Sequence, residues 1–584
     1  MRILVVAARP LVSLSHFLLL MRNFFSSKRA AWLRRPFYFG KKINAEARRR
    51  RDRSLIFVLL LFFVSACQKQ EPLVFRDVAE EVGLDFKQGT FNWGMSGDPV
   101  AMMGGGLCWL DFDNDGWLDL YVVNSYSENE AGLWDVEVGK RPINRLFKNN
   151  QGQFVDVSES SGTGINMRGM GCVAADFDNN GFADIYITTS RLNVLFWNNG
   201  DGTFTEGAKL AEVNAYGWQS AVSVGDINQD GWLDMFVAGY VNMIRPITSA
   251  TMGFPNTHEG MPDLLYLNNG DRTFREVGQD VGLETADFAY GLGSALLDYD
   301  QDGDLDLFVA NDTNPNMLYE FIRDDDRELG FYYRAVGDSA KVDDINSGMG
   351  VASADFDGSG TADIFVTNMG RQTHSLYTHH MELTFTDALA QVQQPELGVG
   401  YTGWGAGWQD FDNDSDLDLF IANGAIPVID LDADKMAQQL FENGNGMLQD
   451  VSERVGLLEI GQRIGRGMAS ADFDNDGDID IAINSIADDL ILLRNESAGN
   501  NWLMVALKGN VAGVTVTVTL EDGRTLTRFP VIGSSYLASE DPRVHFGLGE
   551  ESAVSKLEIK WPNGETQSFN DVNANQIFTT VGAR

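Results

Sequence analysis

A nine-residue acidic string recurs seven times in this chain, and no other feature limits its fold as strongly. The copies are DFDNDGWLD (111–119), DFDNNGFAD (176–184), DINQDGWLD (226–234), DYDQDGDLD (298–306), DFDGSGTAD (355–363), DFDNDSDLD (410–418) and DFDNDGDID (472–480). Positions 1 and 9 are always Asp. Position 3 is Asp except for Asn228, position 5 is Asp except for Asn180 and Ser359, and position 6 is Gly except for Ser415. Alternate residues place short oxygen-bearing side chains on one side of a tight turn. Gly at position 6 lets the backbone reverse, and the last Asp closes a cage. Positions 1, 3, 5 and 9 hold 25 carboxylates in all. Clustered without a cation, such groups repel and raise one another's pKa.

Roughly six to eight hard oxygen ligands, mostly carboxylates, suit Ca²⁺, whereas Mg²⁺ demands a stricter octahedron and keeps its waters. About five to seven structural calcium ions are therefore expected. The plainer alternative is a set of metal-free Asx turns, strongest for the loop with Ser359. An EF-hand opens similarly but needs a later Glu and flanking helices. Here the flanks are LDLYVVN, ADIYITT, LDMFVAG, LDLFVAN, ADIFVTN, LDLFIAN and IDIAINS, which read as strands. Each loop thus joins two strands of a hairpin.

The copies recur about every 60 residues, a period typical of repeat architectures. A Gly-rich strand precedes each loop, as in GMGCVAADFD. A third strand follows, as in NRLFKNN (144–150), NVLFWNN (193–199) and LLYLNNG (264–270), then a fourth, as in QFVDVSE (153–159). Four short antiparallel strands per unit, seven times over, predict an all-β, seven-bladed β-propeller. The last unit ends at LILLRN (490–495) without a fourth strand, while LVFRDVAEE (73–81) precedes the first. The N-terminal strand is expected to complete the last blade and leave no free edge.

These repeats resemble the FG-GAP/VCBS family, the propeller at the head of integrin α chains, over roughly 73–495. The resemblance implies calcium held by side chains at positions 1, 3, 5 and 9 and the carbonyl at 7. Carried onto this chain, the first loop would use Asp111, Asp113, Asp115 and Asp119 with the carbonyl of Trp117. The second would use Asp176, Asp178, Asn180 and Asp184 with Phe182, and the third Asp226, Asn228, Asp230 and Asp234 with Trp232. The fourth would use Asp298, Asp300, Asp302 and Asp306 with Asp304, and the fifth Asp355, Asp357, Ser359 and Asp363 with Thr361. The sixth would use Asp410, Asp412, Asp414 and Asp418 with Asp416, and the seventh Asp472, Asp474, Asp476 and Asp480 with Asp478. The loops with Ser359 and Ser415 depart from the pattern.

Beyond Asn500 no acidic loop follows. Segments 501–508, 514–520, 554–561 and 576–581 alternate as strands, with turns at EDGR (521–524) and PNGE (562–565). SSYLASEDPRVHFGLGE and KLEIKWPNGETQSF resemble the ASPIC/UnbV domain over 500–582, with KGNVAGVTVTV shorter than the family's linker. The pairing of repeats with this domain resembles the bacterial relatives of cartilage acidic protein.

Residues 1–66 carry 14 Lys/Arg against Glu46 and Asp52, a net +12 in a chain whose total is −39, which leaves −51 for 67–584. That field repels phosphates, so no nucleic-acid partner is expected. RRRRDR (48–53), the apolar run Leu55 to Val64 and Ser65-Ala66-Cys67 have the parts of an export signal. The run is too short for a membrane span. Val64-Ser65-Ala66-Cys67 resembles a bacterial lipobox, which implies lipidation at Cys67 and a membrane tether. An ordinary signal peptide, leaving a periplasmic or secreted protein, is the alternative. Gln68 after the cysteine implies, by the same resemblance, the outer membrane. Residues 1–47 fit no normal signal and read as a misassigned start or a long leader. Cys108 and Cys172 read as buried thiols, with a disulfide as the alternative.

With the acidic loops between first and second strands, the long insertions 125–143, 239–263, 424–438 and 388–402 fall on the opposite face. They carry Tyr126, Trp134, Tyr240, Phe254, His258 and Tyr401, candidate contacts for a protein or glycan partner or residues that pack their own loops. No GxSxG, HExxH or Walker string occurs. His374, His379 and His380 read as exposed strand residues, and His545 as structural. A calcium-stabilised, membrane-tethered binding or adhesion protein is the leading expectation. A propeller lectin is the alternative, and a surface hydrolase or lyase trails both.

Overall fold

In the computed structural model the described residues are 73–581, apart from 249, 251, 284–288, 380–382, 445, 498, 509–510, 512, 531 and 563. The readings on residues 1–66 and on Cys67, and that on His380, lie outside them.

Each acidic string sits in the turn between the first two strands of a four-stranded sheet. In sheet 1 the strands are Leu107–Leu110, Asp119–Val122, Arg145–Asn149 and Phe154–Asp156, antiparallel in chain order. Sheets 2 to 6 repeat this, opening with Gly169–Ala175, Gln219–Gly225, Gly291–Leu297, Val351–Ala354 and Gly403–Gln409. Sheet 7 takes Gly465–Ala471, Asp480–Ser485 and Ile491–Asn495 from the end of the array, and its fourth strand is Phe75–Asp77. Phe75 pairs with Asn495 and Asp77 with Leu493. The first strand of each sheet lies beside that of the next, and that of sheet 7 beside that of sheet 1. First and second strands are buried almost throughout, which explains their small or apolar residues on both faces. Apolar clusters fill the spaces between neighbouring sheets, as where Trp109, Leu120 and Phe147 of sheet 1 meet Ala469, Phe473 and Leu492 of sheet 7.

Cys108 and Cys172 form a disulfide, with Cα atoms 6.0 Å apart. This corrects the thiol reading. The disulfide was the alternative reading, and adjacent first strands bring the two side chains together across a sequence separation of 64 residues. Both lie in one buried cluster.

The C-terminal residues form two further sheets. One orders Val544–Gly549, Asn501–Lys508 and Gln576–Val581. The other orders Thr525–Arg528, Thr515–Thr519, Ala553–Lys560 and Thr566–Asn573. They are not detached from the array. Between them the chain from Ile532 to Asp541 runs along the first strands. Ala538–Ser539 pairs with Leu107–Cys108, and Ser535 exchanges hydrogen bonds with Val351 at 2.7 and 2.9 Å. Ile532 and Leu537 accept from Val224 and Cys172, Ser535 Oγ from Ala406, and Asp541 donates to Ser470. Six of the seven sheets are touched. A Cβ on Gly106 would strike the Leu537 carbonyl, so only glycine admits this close approach.

Candidate metal centres

The backbone of each loop orients its own carboxylates. In loop 1, Asp111 accepts from the N–H groups of Asp115 (3.0 Å) and Gly116 (2.9 Å), and Asp115 accepts from Trp117 (3.0 Å). Asp119 accepts from Phe112 at 3.1 Å and from Asn149 at 2.7 Å. The first scheme recurs at Asp176, Asp226, Asp410 and Asp472. The second recurs at Asp184, Asp234, Asp306, Asp363, Asp418 and Asp480. Each oxygen has two lone pairs, so these carboxylates keep coordinating capacity.

Three carboxylates bring oxygens within 4.8 Å of one another in the loops at 111, 176, 298, 355 and 410. Buried oxygens of Asp113 and Asp298 in these loops, and Asp474 Oδ1 in the loop at 472, receive no hydrogen bond. Burial is the largest cause of raised pKa at position 9, and neighbouring carboxylates add to it. Asp119, Asp184 and Asp363 are pushed up to about 8 and Asp306 to about 9, while Asp234, Asp418 and Asp480 lie well above the usual carboxylate range. Clustered, pre-oriented and partly desolvated carboxylate oxygens are a donor set that fits a hard dication. These loops could hold such ions.

The loops are not equivalent. Lys148 reaches the carboxylates of Asp113 and Asp115, Arg272 that of Asp178, and Arg323 that of Asp304. In loop 3 Asn228 donates to Asp230 at 2.9 Å. In loop 5 Ser359 Oγ shares a 2.8 Å bond with Thr361 and lies 3.3 Å from the His379 carbonyl, so its ligand atom is already engaged. Ser415 takes the glycine-like φ of +90°, and the loop 6 turn survives the missing glycine.

Two sets of amide side chains, absent from the sequence reading, tie the loops together. At the end of the third strand, Asn149, Asn198, Asn268, Asn443 and Asn495 each donate Nδ2 to the position-2 carbonyl of the preceding loop. Their recurrence in NRLFKNN, NVLFWNN and LLYLNNG was the available signal. At position 4, a left-handed Asn or Gln donates to the position-6 carbonyl of the following loop: Asn114 to Gly181 (2.8 Å), Asn179 to Gly231 (3.2 Å) and Gln229 to Gly303 (2.8 Å). Gln301 reaches Gly360 (2.7 Å), Asn413 reaches Gly477 (3.5 Å) and Asn475 reaches Gly116 (3.0 Å).

The six candidate partner contacts divide. Tyr240 is fully buried, its hydroxyl 2.9 Å from Asp312 and its ring 4.8 Å from Trp218. Tyr126 is buried and bonded to Asn166. Neither ring is offered to a partner, because each is packed against residues outside its own insertion, Trp218, Tyr290 and Asp312 for Tyr240 and Asn166 for Tyr126. Trp134 is half-buried against the exposed Trp93, with centroids 4.8 Å apart. Phe254 is exposed, while His258 and Tyr401 are half-buried. The histidine reading is corrected. His374 and His379 are buried, and burial pushes His374 down to about 3. Those strands face neighbouring sheets and not solvent. His545 Nε2 lies 3.1 Å from the Gly477 carbonyl. Among the described residues no helix is long and apolar enough to cross a membrane.

Residues 111–187, 182–237, 298–366 and 355–421 match the family described as FG-GAP-like repeat, and 507–582 match ASPIC and UnbV. Cartilage acidic protein 1 of Homo sapiens is 27% identical over 555 residues, covering 89% of this chain and 77% of its own. That of Mus musculus is 26% identical over 493 residues, covering 79% and 71%. A solved Agrocybe aegerita lectin that recognises non-reducing terminal N-acetylglucosamine gives a TM-score of 0.35 at 13% identity, covering 59% of this chain and 79% of its own. The chain is an all-β protein of FG-GAP-like repeats followed by an ASPIC and UnbV domain, similar over most of its length to cartilage acidic protein 1.

Proposed function

We propose that this is a calcium-binding, extracytoplasmic recognition or adhesion protein whose seven sheets close into a seven-bladed propeller tethered to a membrane at Cys67. One observation carries the calcium reading: the repeated loops cluster backbone-oriented carboxylates, several of whose buried oxygens lack donors. The ions would stiffen one face. The C-terminal domain covers part of that face, since Arg543 and His545 reach loop 7 and Asn500 reaches loop 6. The insertions on the other face are left for a partner. The test is calcium per chain by equilibrium dialysis, with melts in calcium and in chelator. About five to seven ions, with a large loss of melting temperature on chelation, support the reading. One ion or none, with an unchanged melt, overturns it.

One groove favours a glycan as the partner. It measures about 240 Å³ on the insertion side and is lined by Trp134, Lys87, Lys140, Arg141 and Arg145 together with Asp85, with Arg141 and Arg145 paired to Asp135 and Asp156. An aromatic wall with cations suits an acidic sugar. A Trp134→Ala variant should lose binding to sulfated or uronic-acid oligosaccharides on an array. Equal binding by wild type and variant would leave a protein as the partner.

A further inference from the structure

Six position-4 amides link successive loops, and the seventh place has none. Loop 5 carries Gly358 at position 4, so no side chain leaves it for the position-6 carbonyl of loop 6, Ser415. That carbonyl is nevertheless satisfied. Arg528 Nη2, from the C-terminal strand Thr525–Arg528, donates to Ser415 O at 3.2 Å. Its charge also acts on Asp355 of loop 5 and Asp410 of loop 6. The interruption and its repair coincide at the one junction where the repeat departs from its pattern. The adjoining chain is anchored too, since Phe529 packs against the core between sheets 4 and 5 and Ile532 bonds to sheet 3.

We propose that Arg528 is the seventh link between loops, a positioning residue through which the seated C-terminal domain holds loops 5 and 6 in register and supports cation retention there. The cation arm rests on the calcium reading above, whereas the link itself operates without metal. The guanidinium supplies both the donor that Gly358 lacks and a positive charge beside Asp355 of loop 5 and Asp410 of loop 6. The C-terminal domain is then a structural part of the loop array, and its unseating would loosen two adjacent sites first.

The test uses the full chain with Arg528→Met, which keeps the aliphatic stem and removes the donors. Hydrogen exchange of 410–418 is followed in chelator and in calcium, beside 111–119 as an internal reference. Loss of one charge-assisted bond should speed exchange in 410–418 about tenfold and weaken the tightest affected calcium site by about the same factor, with 111–119 unmoved. Rescue is specific. Gly358 has φ +73°, a Cβ there would meet nothing within 4 Å, and Asn occupies the same left-handed place in loops 1, 2, 6 and 7. Gly358→Asn on the Arg528→Met background should restore slow exchange in loop 6. Unchanged exchange in Arg528→Met, or faster exchange that Gly358→Asn does not recover, overturns the proposal. Should Arg528→Met not fold, Arg528→Lys keeps a donor and the charge, and wild-type exchange in loop 6 is then expected, with fast exchange overturning the link. Absence of calcium binding in the wild type would fail the functional reading alone, because exchange in chelator still tests the link.

Discussion

Tyr536 stands edge-on to Trp404, with ring centroids 4.8 Å apart, although one belongs to the C-terminal segment and the other to the first strand of sheet 6. Arg466, fully buried, lies 3.9 Å from the Trp404 ring centroid and donates to the carbonyls of Met102 and Gly465 (2.8 Å each) and Ala425 (3.0 Å). Tyr536 Oη donates to Met103 O at 3.0 Å. Removing the ring leaves a cavity among rigid first strands that cannot collapse. Tyr536→Ala should therefore cost about 3–5 kcal/mol in urea unfolding, and Tyr536→Phe about 1 kcal/mol for the lost hydrogen bond. A loss below about 1 kcal/mol for the alanine variant would mean that the segment does not fasten the array.

The acidic loops give stability an unusual pH dependence. A carboxyl with a raised folded pKa binds its proton more tightly in the native state than in the unfolded one. As pH rises from the unfolded value near 4 to the folded values of about 8 for Asp119, Asp184 and Asp363, the unfolded state loses protons first and stability falls. In chelator the melting temperature should be higher at pH 5.5 than at pH 8. Calcium must displace those protons, so its stabilisation should grow over the same range. High salt separates this from general repulsion in the acidic body, because it screens exposed charges more than buried ones. A melt in chelator independent of pH would contradict the burial of these groups.

Positions 3 and 9 of one loop should respond differently. Asp113 holds one buried oxygen without a donor and pairs the other with Lys148, which keeps Asp115 as a partner, so Asp113→Asn should remove calcium from loop 1 and cost at most about 1 kcal/mol in chelator. Asp119 satisfies the N–H groups of Phe112 and Asn149 inside the protein. Asp119→Ala leaves both unpaired and should cost about 2–4 kcal/mol even without metal. Ion counts paired with urea midpoints distinguish ligand from scaffold.

Much of this was legible in the sequence, and the boundary is physical. Local rules were enough for the hairpins, because Asp-x-Asp-x-Asp-Gly turns and β-branched flanks are set within nine residues. The pairing of Phe75–Asp77 with Leu493–Asn495 was approachable because one unit lacked a strand and another strand stood alone. The choice of a Cys108–Cys172 bond over two free thiols, the burial of Tyr240 and the course of Ile532–Asp541 were not, since each depends on which surfaces meet across sheets. The third-strand asparagines were visible as a repeated Asn-Asn, but their role needs the neighbouring loop's carbonyl in place.

Ser415 offers a direct test of backbone strain at a candidate site. Its φ of +90° is the conformation for which the other six loops use glycine, and its amide still donates to Asp410 Oδ2 at 2.8 Å. Holding a Cβ there costs about 1–2 kcal/mol. Ser415→Gly relieves that strain but frees the unfolded chain, an offset of about 0.5–1 kcal/mol. The carbonyl that receives Arg528 is unaffected, because the change touches only the side chain. The buried Ser415 Oγ, which has no hydrogen-bond partner, disappears as well, and that removes a further cost. The net expectation is a gain of about 1 kcal/mol in urea unfolding, with calcium stoichiometry unchanged. A loss of stability would mean that the hydroxyl contributes to the site, as a ligand or through a bound water, and that the serine is kept for its oxygen.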